Sequence, residues 1–91
     1  MNLEEVFEKY SDEYLEFERI IHPLHSRPDI CAMLMLSPYM ENGDAVSWAE
    51  HDIFGLNVDC EKFAESASED LIRDLRRCGI MYTDDSLAMF T

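Results

Sequence analysis

The sequence has few basic residues, few glycines and prolines, and no long apolar run. Seven Lys and Arg stand against 20 Asp and Glu in 91 residues, which gives a formal net charge of -13. Affinity for a nucleic-acid backbone comes largely from Lys and Arg that displace counterions, so we expect no direct binding to nucleic acid. The same deficit disfavours anionic membrane surfaces. No apolar run approaches the roughly 18 residues that a membrane-spanning helix requires.

Cysteine is also scarce, and its spacing argues against a scaffold held by disulfides. Cys31, Cys60 and Cys78 are odd in number and widely spaced, which favours a reducing compartment. Residues 1–5 contain no basic segment followed by an apolar stretch, so we expect no signal peptide. A hydrophobic content of 47% is too high for a disordered acidic tail. We therefore expect one folded, cytoplasmic domain that spans residues 1–91.

Residues 3–21 have the periodicity of an amphipathic helix. Asn2 is the expected N-cap with Glu5 as its reciprocal partner, and Pro23 ends the helix because the residue before a proline avoids helical geometry. Apolar residues recur at alternating spacings of four and three, which places them on one face. We expect this face to pack in the core, with a helix-to-helix dimer seam as the alternative. Its residues are Leu3, Phe7, Tyr10, Tyr14, Phe17, Ile21 and Leu24.

Residues 28–40 contain an unbroken apolar run, Ile30 to Leu36, that fits either a buried helix or a buried strand. Ser26 with Asp29 has the pattern of a capping box, and Pro28 suits the first turn of a helix. The apolar run also contains good helix formers after its first two residues. We therefore predict a helix here, with a buried strand as the open alternative.

The rest of the chain predicts short strands and two further helices. The first part begins with an Asn-Gly turn at 41–44 and continues with an irregular connection or a short helical turn at 45–51, which holds Trp48. A strand at 52–58 follows, and then a short helix that Asp59 caps and that runs to Phe63. The second part comprises a helix from a Ser66–Glu69 capping box to Cys78, ended by Gly79, and strands at 80–82 and 87–90 around a turn. We therefore predict an α+β domain in which an N-terminal amphipathic helix and a second helix pack with a three-stranded antiparallel sheet and a C-terminal helix pair.

The main functional candidate is a row of carboxylates on the outside of the first predicted helix. Glu4, Glu8, Asp12 and Glu16 recur every four residues, and like charges at that spacing destabilise a helix by about 0.2–0.5 kcal/mol per pair. The row is either a solvated face that keeps the protein soluble or a surface for a strongly basic partner. Because a helix rises about 5.4 Å per turn, the repeat approaches the phosphate spacing of a nucleic-acid strand. The second interpretation predicts a nucleic-acid mimic whose binding weakens in high salt.

Two further groups of side chains have both a structural and a functional interpretation. Three arginines near the end of the last predicted helix either pair with acids of the same chain or dock a second subunit in a homodimer. A group of aromatic and methionine side chains in the middle of the chain either closes a small core or forms an exposed anchor. The candidate interface residues are Arg73, Arg76 and Arg77 in the first group, and Tyr39, Met40 and Trp48 in the second.

The sequence offers little for metal binding or catalysis. His22 and His25 are three residues apart, with Cys31 and His51 further on, but Cys-x-x-Cys and His-Glu-x-x-His motifs are missing. Cys78 follows two arginines that favour a thiolate, yet it lies at an expected helix C-terminus where the dipole opposes negative charge. The sequence has no Gly-x-Ser-x-Gly motif and no Gly-rich phosphate loop. We therefore expect a protein that is not an enzyme and needs no cofactor.

Two stretches of the chain resemble small uncharacterised proteins of phages and prophages. The first runs from Ala49-Glu50-His51-Asp52 to Asp59, and the second runs from Asp74-Leu75-Arg76-Arg77-Cys78-Gly79-Ile80 to Leu87-Ala88-Met89-Phe90. The resemblance covers about half of the chain and implies no particular activity. Small acidic phage proteins include inhibitors of host nucleic-acid-binding systems, so the resemblance favours the mimic interpretation by analogy.

These observations predict an acidic protein-interaction module that binds a basic protein, with a host nucleic-acid-binding protein as the expected kind of partner. The acidic row of the first helix would make the contact, in the cytoplasm of the host. One alternative is a homodimeric accessory protein that associates through the first helix or the region of Trp48. The other is a metal-binding protein that uses the three histidines.

Overall fold

The computed structural model describes residues 1–40 and 43–90, and it confirms an α+β fold. None of the helices in these residues is long and apolar enough to cross a membrane. The α-helices are α1 (Leu3–Lys9), α2 (Pro28–Leu36), α3 (Cys60–Ser66) and α4 (Glu69–Cys78), and short 3-10 turns cover Ser11–Glu13, Phe17–Arg19 and Ser37–Tyr39. The strands are β1 (Val46–Glu50), β2 (Ile53–Leu56), β3 (Met81–Thr83) and β4 (Ser86–Phe90). The predicted turn at 41–44 lies in part outside the described residues.

The strands form one antiparallel sheet in the order β1-β2-β4-β3. The described residues thus contain four strands, and the predicted three-stranded sheet is wrong. The missing strand is β1, which falls in the segment 45–51 that we expected to be irregular. Four of its five residues are exposed, so it lacks the alternation that marks a half-buried strand. Pairing with β2 makes it a strand, and His51, with a φ of 50°, lies in the turn between the two.

The core lies between the helices and one face of the sheet. In α4 the side chains of Ile72 and Leu75 are fully buried, and α4 contacts both α1 and α2. Leu87 of β4 and Phe63 of α3 are also inaccessible to solvent. Helix α4 therefore lies at the centre of the helical layer, and its apolar stripe holds the other helices in place.

The first helix is much shorter than the periodicity predicts. Helix α1 ends at Lys9, and the backbone N–H of Leu15 donates to the carbonyl of Arg76 on α4 at 3.1 Å, with Leu15 at a φ of 65°. This left-handed residue cannot continue a helix. Ile21 and Leu24 are 82% and 60% exposed, so the predicted common apolar face of residues 3–21 is wrong beyond the 3-10 turn that contains Phe17.

Two of the predicted helix caps are confirmed. The Asn2 side chain accepts a hydrogen bond from the backbone N–H of Glu5 at 3.1 Å. The Asp59 carboxylate accepts from the N–H groups of Glu61 and Lys62, which starts α3. Both caps satisfy N–H groups that a helix cannot pair internally.

Two other caps were predicted at the wrong residue. Ser66 belongs to the end of α3, and Ser68 caps α4 instead by accepting from the N–H of Leu71 at 3.1 Å. Gly79, with a φ of 99°, ends α4 as predicted. Helix α2 starts at Pro28 with Arg27 in the cap position and no capping side chain, so the predicted role of Ser26 is wrong and the fixed φ of proline opens the helix.

The second face of the sheet, called the outer sheet face below, lies away from the core. Trp48, Ile53, Met81 and Phe90 on this face lie outside the core cluster, and the indole N–H of Trp48 donates to Ser86 Oγ at 3.3 Å. The indole lies against Gly55, the partner of Trp48 in the register, so that a Cβ at position 55 would overlap it. By the register, the residues on the outer sheet face are Trp48, Glu50, Ile53, Gly55, Met81, Thr83, Ser86, Ala88 and Phe90.

We predict that Gly55→Ala destabilises the protein by about 1–3 kcal/mol, because the new methyl group must displace the Trp48 indole. Urea unfolding measures the cost, and the emission of Trp48, the one tryptophan of the chain, reports the displacement. In a Trp48→Ala background the same substitution should cost much less, since the overlapping side chain is gone. Additive costs in the two backgrounds would show that the clash is not with Trp48.

Candidate functional site

Three separate parts of the chain meet at an open groove of about 760 Å³. They are the first turn of α1, the first turn of α3 and the turn between β3 and β4. The groove, called the acidic groove below, is lined by the carboxylates of Glu4, Asp59, Glu61 and Asp85. Its other lining residues are Met1, Asn2, Leu3, Cys60, Ala64 and Tyr82. None of these described lining residues is Lys, Arg or His.

Helix starts account for the position of three of these carboxylates. Glu4 lies in the first turn of α1, and Glu61 lies in the first turn of α3 behind its cap, Asp59. Carboxylates are favoured there because the helix macrodipole places partial positive charge at the N-terminus. Asp59 spends its side chain on the cap, whereas Glu4 and Glu61 are exposed to solvent. These two residues can therefore contact a ligand without a loss of helix capping.

The hairpin turn supplies the remaining negative charge. Asp84 and Asp85 have φ values of 50° and 58°, the left-handed geometry of a two-residue turn that favours Asn-Gly. Aspartate tolerates this geometry better than most residues, at some cost in free energy. A smaller recess of about 300 Å³, lined by the turn together with Glu4 and Tyr82, adjoins the same region. The turn thus places two neighbouring carboxylates at the edge of the acidic groove.

The carboxylates act on the two titratable side chains that lie among them. Burial, the hydrogen bond from its hydroxyl to Asp85 Oδ1 at 3.2 Å, and the charges of Asp85 and Glu4 raise the pKa of Tyr82. Burial, together with the charges of Asp59 and Asp85, raises the pKa of the Cys60 thiol. Burial is the main cause in both cases, and the neighbouring carboxylates add to it, since burial and negative charge each favour the protonated form.

The predicted carboxylate row does not exist as one helical row. Glu4 and Glu8 lie on α1, but Asp12 lies in a 3-10 turn and Glu16 lies beyond it. A row of four residues at this spacing needs a continuous helix, but α1 ends at Lys9. The prediction that all four carboxylates lie on one helix face is therefore wrong. Glu16 lies beside Glu18 instead, and their shared hydrogen bond raises the pKa of Glu16. Of the four residues, only Glu4 lines the acidic groove.

The three candidate arginines make contacts within the chain. Arg77 donates to Glu13 Oε2 at 2.9 Å and to Asp74 Oδ1 at 3.0 Å. Arg73 lies 3.7 Å from the Asp70 carboxylate. The guanidinium group of Arg76 lies over the rings of Phe7 and Tyr14, at 5.7 and 5.4 Å from their centroids, and donates to the carbonyl of Ile80. Arg73 and Arg77 thus pair with acids of the same chain, whereas Arg76 contacts two rings and a carbonyl, and the Nε atoms of Arg73 and Arg76 have no hydrogen-bond partner among the described residues. A role in a subunit interface stays a prediction.

The other candidate interface residues do not form one cluster. The ring of Tyr39 packs edge-to-face on Phe63 with 4.9 Å between the centroids, and Met40 forms a β-bridge with Val58. Both lie at the margin of the core, as the structural interpretation expects. Trp48 lies apart from them on the outer sheet face, half-buried against Gly55.

The structure brings together no metal-binding cluster in residues 1–40 and 43–90. His22, His25 and His51 are all exposed, and His25 Nδ1 accepts a hydrogen bond from the backbone N–H of Arg27. Cys78 is buried, and burial raises the pKa of its thiol, which opposes a role as a nucleophile.

Sequence reasoning identified one residue of the acidic groove, Glu4, and missed its neighbours. Asp59 and Asp85 were assigned to a helix cap and a solvated turn, which describes their local roles correctly. The sequence shows that two helix starts and one turn each carry acids. Only the tertiary fold shows that these three places adjoin each other.

We predict that Asp85→Asn speeds alkylation of Cys60 at pH 8 by up to about twofold, since burial is the main cause of the raised thiol pKa and the charge of Asp85 adds a smaller part. Mass spectrometry after iodoacetamide treatment measures the modification of each cysteine. Glu65→Gln removes an exposed carboxylate of α3 outside the groove and should leave the rate unchanged. Equal rates in both variants would show that Asp85 does not act on Cys60. Buried Cys31 and Cys78 should stay unmodified until the protein unfolds.

Comparisons with models of known protein families, with curated proteins and with solved structures find no match to this chain. The charges and contacts of the acidic groove are therefore the basis on which its function is inferred.

Proposed function

We propose that this protein is a non-enzymatic interaction module that binds a basic segment of a partner protein in the acidic groove. The observation that supports this proposal is the convergence of Glu4, Asp59, Glu61 and Asp85, from three parts of the chain, on one recess whose described lining holds no Lys, Arg or His side chain. Elsewhere, acids such as Glu13 and Glu69 already pair with arginine or lysine of the same chain. The groove therefore concentrates charge that the fold itself leaves available for a partner.

The composition of the groove suits Lys and Arg side chains in particular. Its carboxylates complement the cationic head group, while Ala64 and the exposed side chain of Met1 offer apolar contact to the methylene stem. The ring of Tyr82 packs near Phe7 with 5.9 Å between the centroids, which fixes an aromatic surface in the recess. A guanidinium group can stack on such a ring. The net charge of -13 adds long-range attraction that speeds the approach of a basic partner.

The partner class we propose is a basic protein of the type that binds nucleic acid. We propose the cytoplasm as the site of action, which is the cytoplasm of the host if the chain is encoded by a phage. The resemblance to small phage proteins supports this choice by analogy. Helix α1 is too short to carry a row of charges with the phosphate spacing of a nucleic-acid strand. The carboxylates of the acidic groove form a compact cluster instead, and this cluster fits one or two basic side chains of the partner.

We predict that an oligolysine peptide binds the acidic groove at low salt. In a titration followed by ¹⁵N–¹H NMR, the largest shifts should fall on residues 2–4, 59–61 and 83–85, since these surround the groove. The shifts should fade between about 0.05 and 0.5 M NaCl, because exposed ion pairs are screened. Shifts spread evenly over all acidic residues, or unchanged by salt, would contradict the proposal.

A double variant tests the groove without unfolding it. Asp84→Asn with Asp85→Gly creates the Asn-Gly sequence that this turn prefers, so we expect a melting temperature at least equal to that of the parent. The peptide Kd should rise about three- to tenfold through the loss of two carboxylates. The matched control is Glu8→Gln with Asp12→Asn, which removes two charges of the predicted row outside the groove. A larger effect of the control would place binding on the row instead.

A further inference from the structure

The two central strands have a sequence that suits burial on both faces. Strand β2 reads Ile-Phe-Gly-Leu, and four of the five residues of β4 are apolar, so neither alternates between apolar and polar residues. Strands with one solvated face normally alternate, whereas continuous apolar runs are typical of strands covered on both sides. The helices cover the face that carries Phe54 and Leu87. The outer sheet face has the composition of a covered surface as well.

Exposure on this face is uneven in a way that matches an interface. Ala88 at its centre is fully buried beneath its neighbours, although it lies outside the core cluster. Phe90 at the margin is 52% exposed, and Trp48 and Met81 are half-buried. Small residues, Gly55 and Ala88, thus lie in the middle with large ones around them. The Trp48 indole already covers Gly55, so the large side chains around the centre form the apolar surface that an opposing sheet would contact.

Charge indicates which molecule can cover the face. Of the residues on the outer sheet face only Glu50 is charged, although the chain carries a net charge of -13. A strongly basic partner would find almost no carboxylate to pair with here. Two copies of this acidic chain repel each other when their other surfaces approach. On the outer sheet face, few like charges come close to each other.

We propose that the outer sheet face is the contact surface for the same face of a second copy, related by a two-fold axis. A two-fold contact uses one patch on both subunits, and two antiparallel sheets pack face to face at about 10 Å. The face measures about 14 Å across its four strands and about 17 Å along them. A contact of this size belongs to the weak class, so the dimer forms in a concentration-dependent way. This proposal goes beyond the acidic groove and does not depend on it.

Sedimentation velocity between about 10 μM and 1 mM protein tests the proposal, over the range in which contacts of this class associate. We expect a shift from monomer to dimer, with a lower acrylamide quenching of Trp48 fluorescence in the dimer. Added NaCl should strengthen the dimer, because it screens repulsion between copies. The same salt weakens peptide binding in the acidic groove, so the two proposals fail independently. A monomer at all concentrations and salt levels would overturn this one.

Two matched variants locate the contact. Phe90→Glu places a carboxylate on the exposed margin of the face and should raise the dimer Kd more than about tenfold. Leu34→Glu adds the same charge at another exposed apolar residue, on α2, and should raise the dimer Kd much less. Phe90→Leu should retain the dimer, and circular dichroism checks that each variant folds. A dimer that Leu34→Glu dissolves and Phe90→Glu leaves intact would overturn the proposal.

Discussion

The contact between Arg77 and Glu13 decides how the N-terminal third of the chain folds. Their side chains are 11% and 13% exposed and meet at 2.9 Å, and the hydrogen bond from Arg77 lowers the pKa of Glu13. Arg77 also donates to the carbonyl of Arg19, so one guanidinium holds the first two 3-10 turns, at 11–13 and 17–19, against α4. This network turns the chain back after α1.

The predictions that succeeded rest on interactions that span three or four residues, although two caps of the same span, at Ser26 and Ser66, were wrong. Those that succeeded are the caps at Asn2 and Asp59, the helix stop at Gly79 and the hairpin around residues 83–86. The length of the first helix was wrong because its limit lies in a contact with Arg77, which is 64 residues away from Glu13. Strand β1 was missed for a different reason: it pairs with β2 across a short turn, but its own residues are mostly exposed and do not alternate.

The candidate site shows the same division between local and distant information. Each carboxylate of the acidic groove has a local explanation, as a first-turn residue, a cap or a turn residue, and that explanation was sufficient when the sequence was read alone. The fold adds the juxtaposition, because α1 packs beside β3 and brings Glu4 towards Tyr82 and Asp85. Local stability and partner binding therefore draw on the same side chains. A neutral substitution at Glu4 tests binding with less risk to the fold than one at Asp59, whose side chain caps α3.

The two proposed surfaces depend on the charge of -13 in opposite ways, and this links them. In the proposed function the acidic groove would attract a basic partner through that charge, whereas the outer sheet face would meet a second copy where the charge is nearly absent. A bound basic segment neutralises part of the charge and so reduces the repulsion between copies. Linkage is reciprocal, so dimer formation must in turn strengthen binding of the basic segment by the same factor. The acidity of the chain thereby couples its two surfaces without any contact between them.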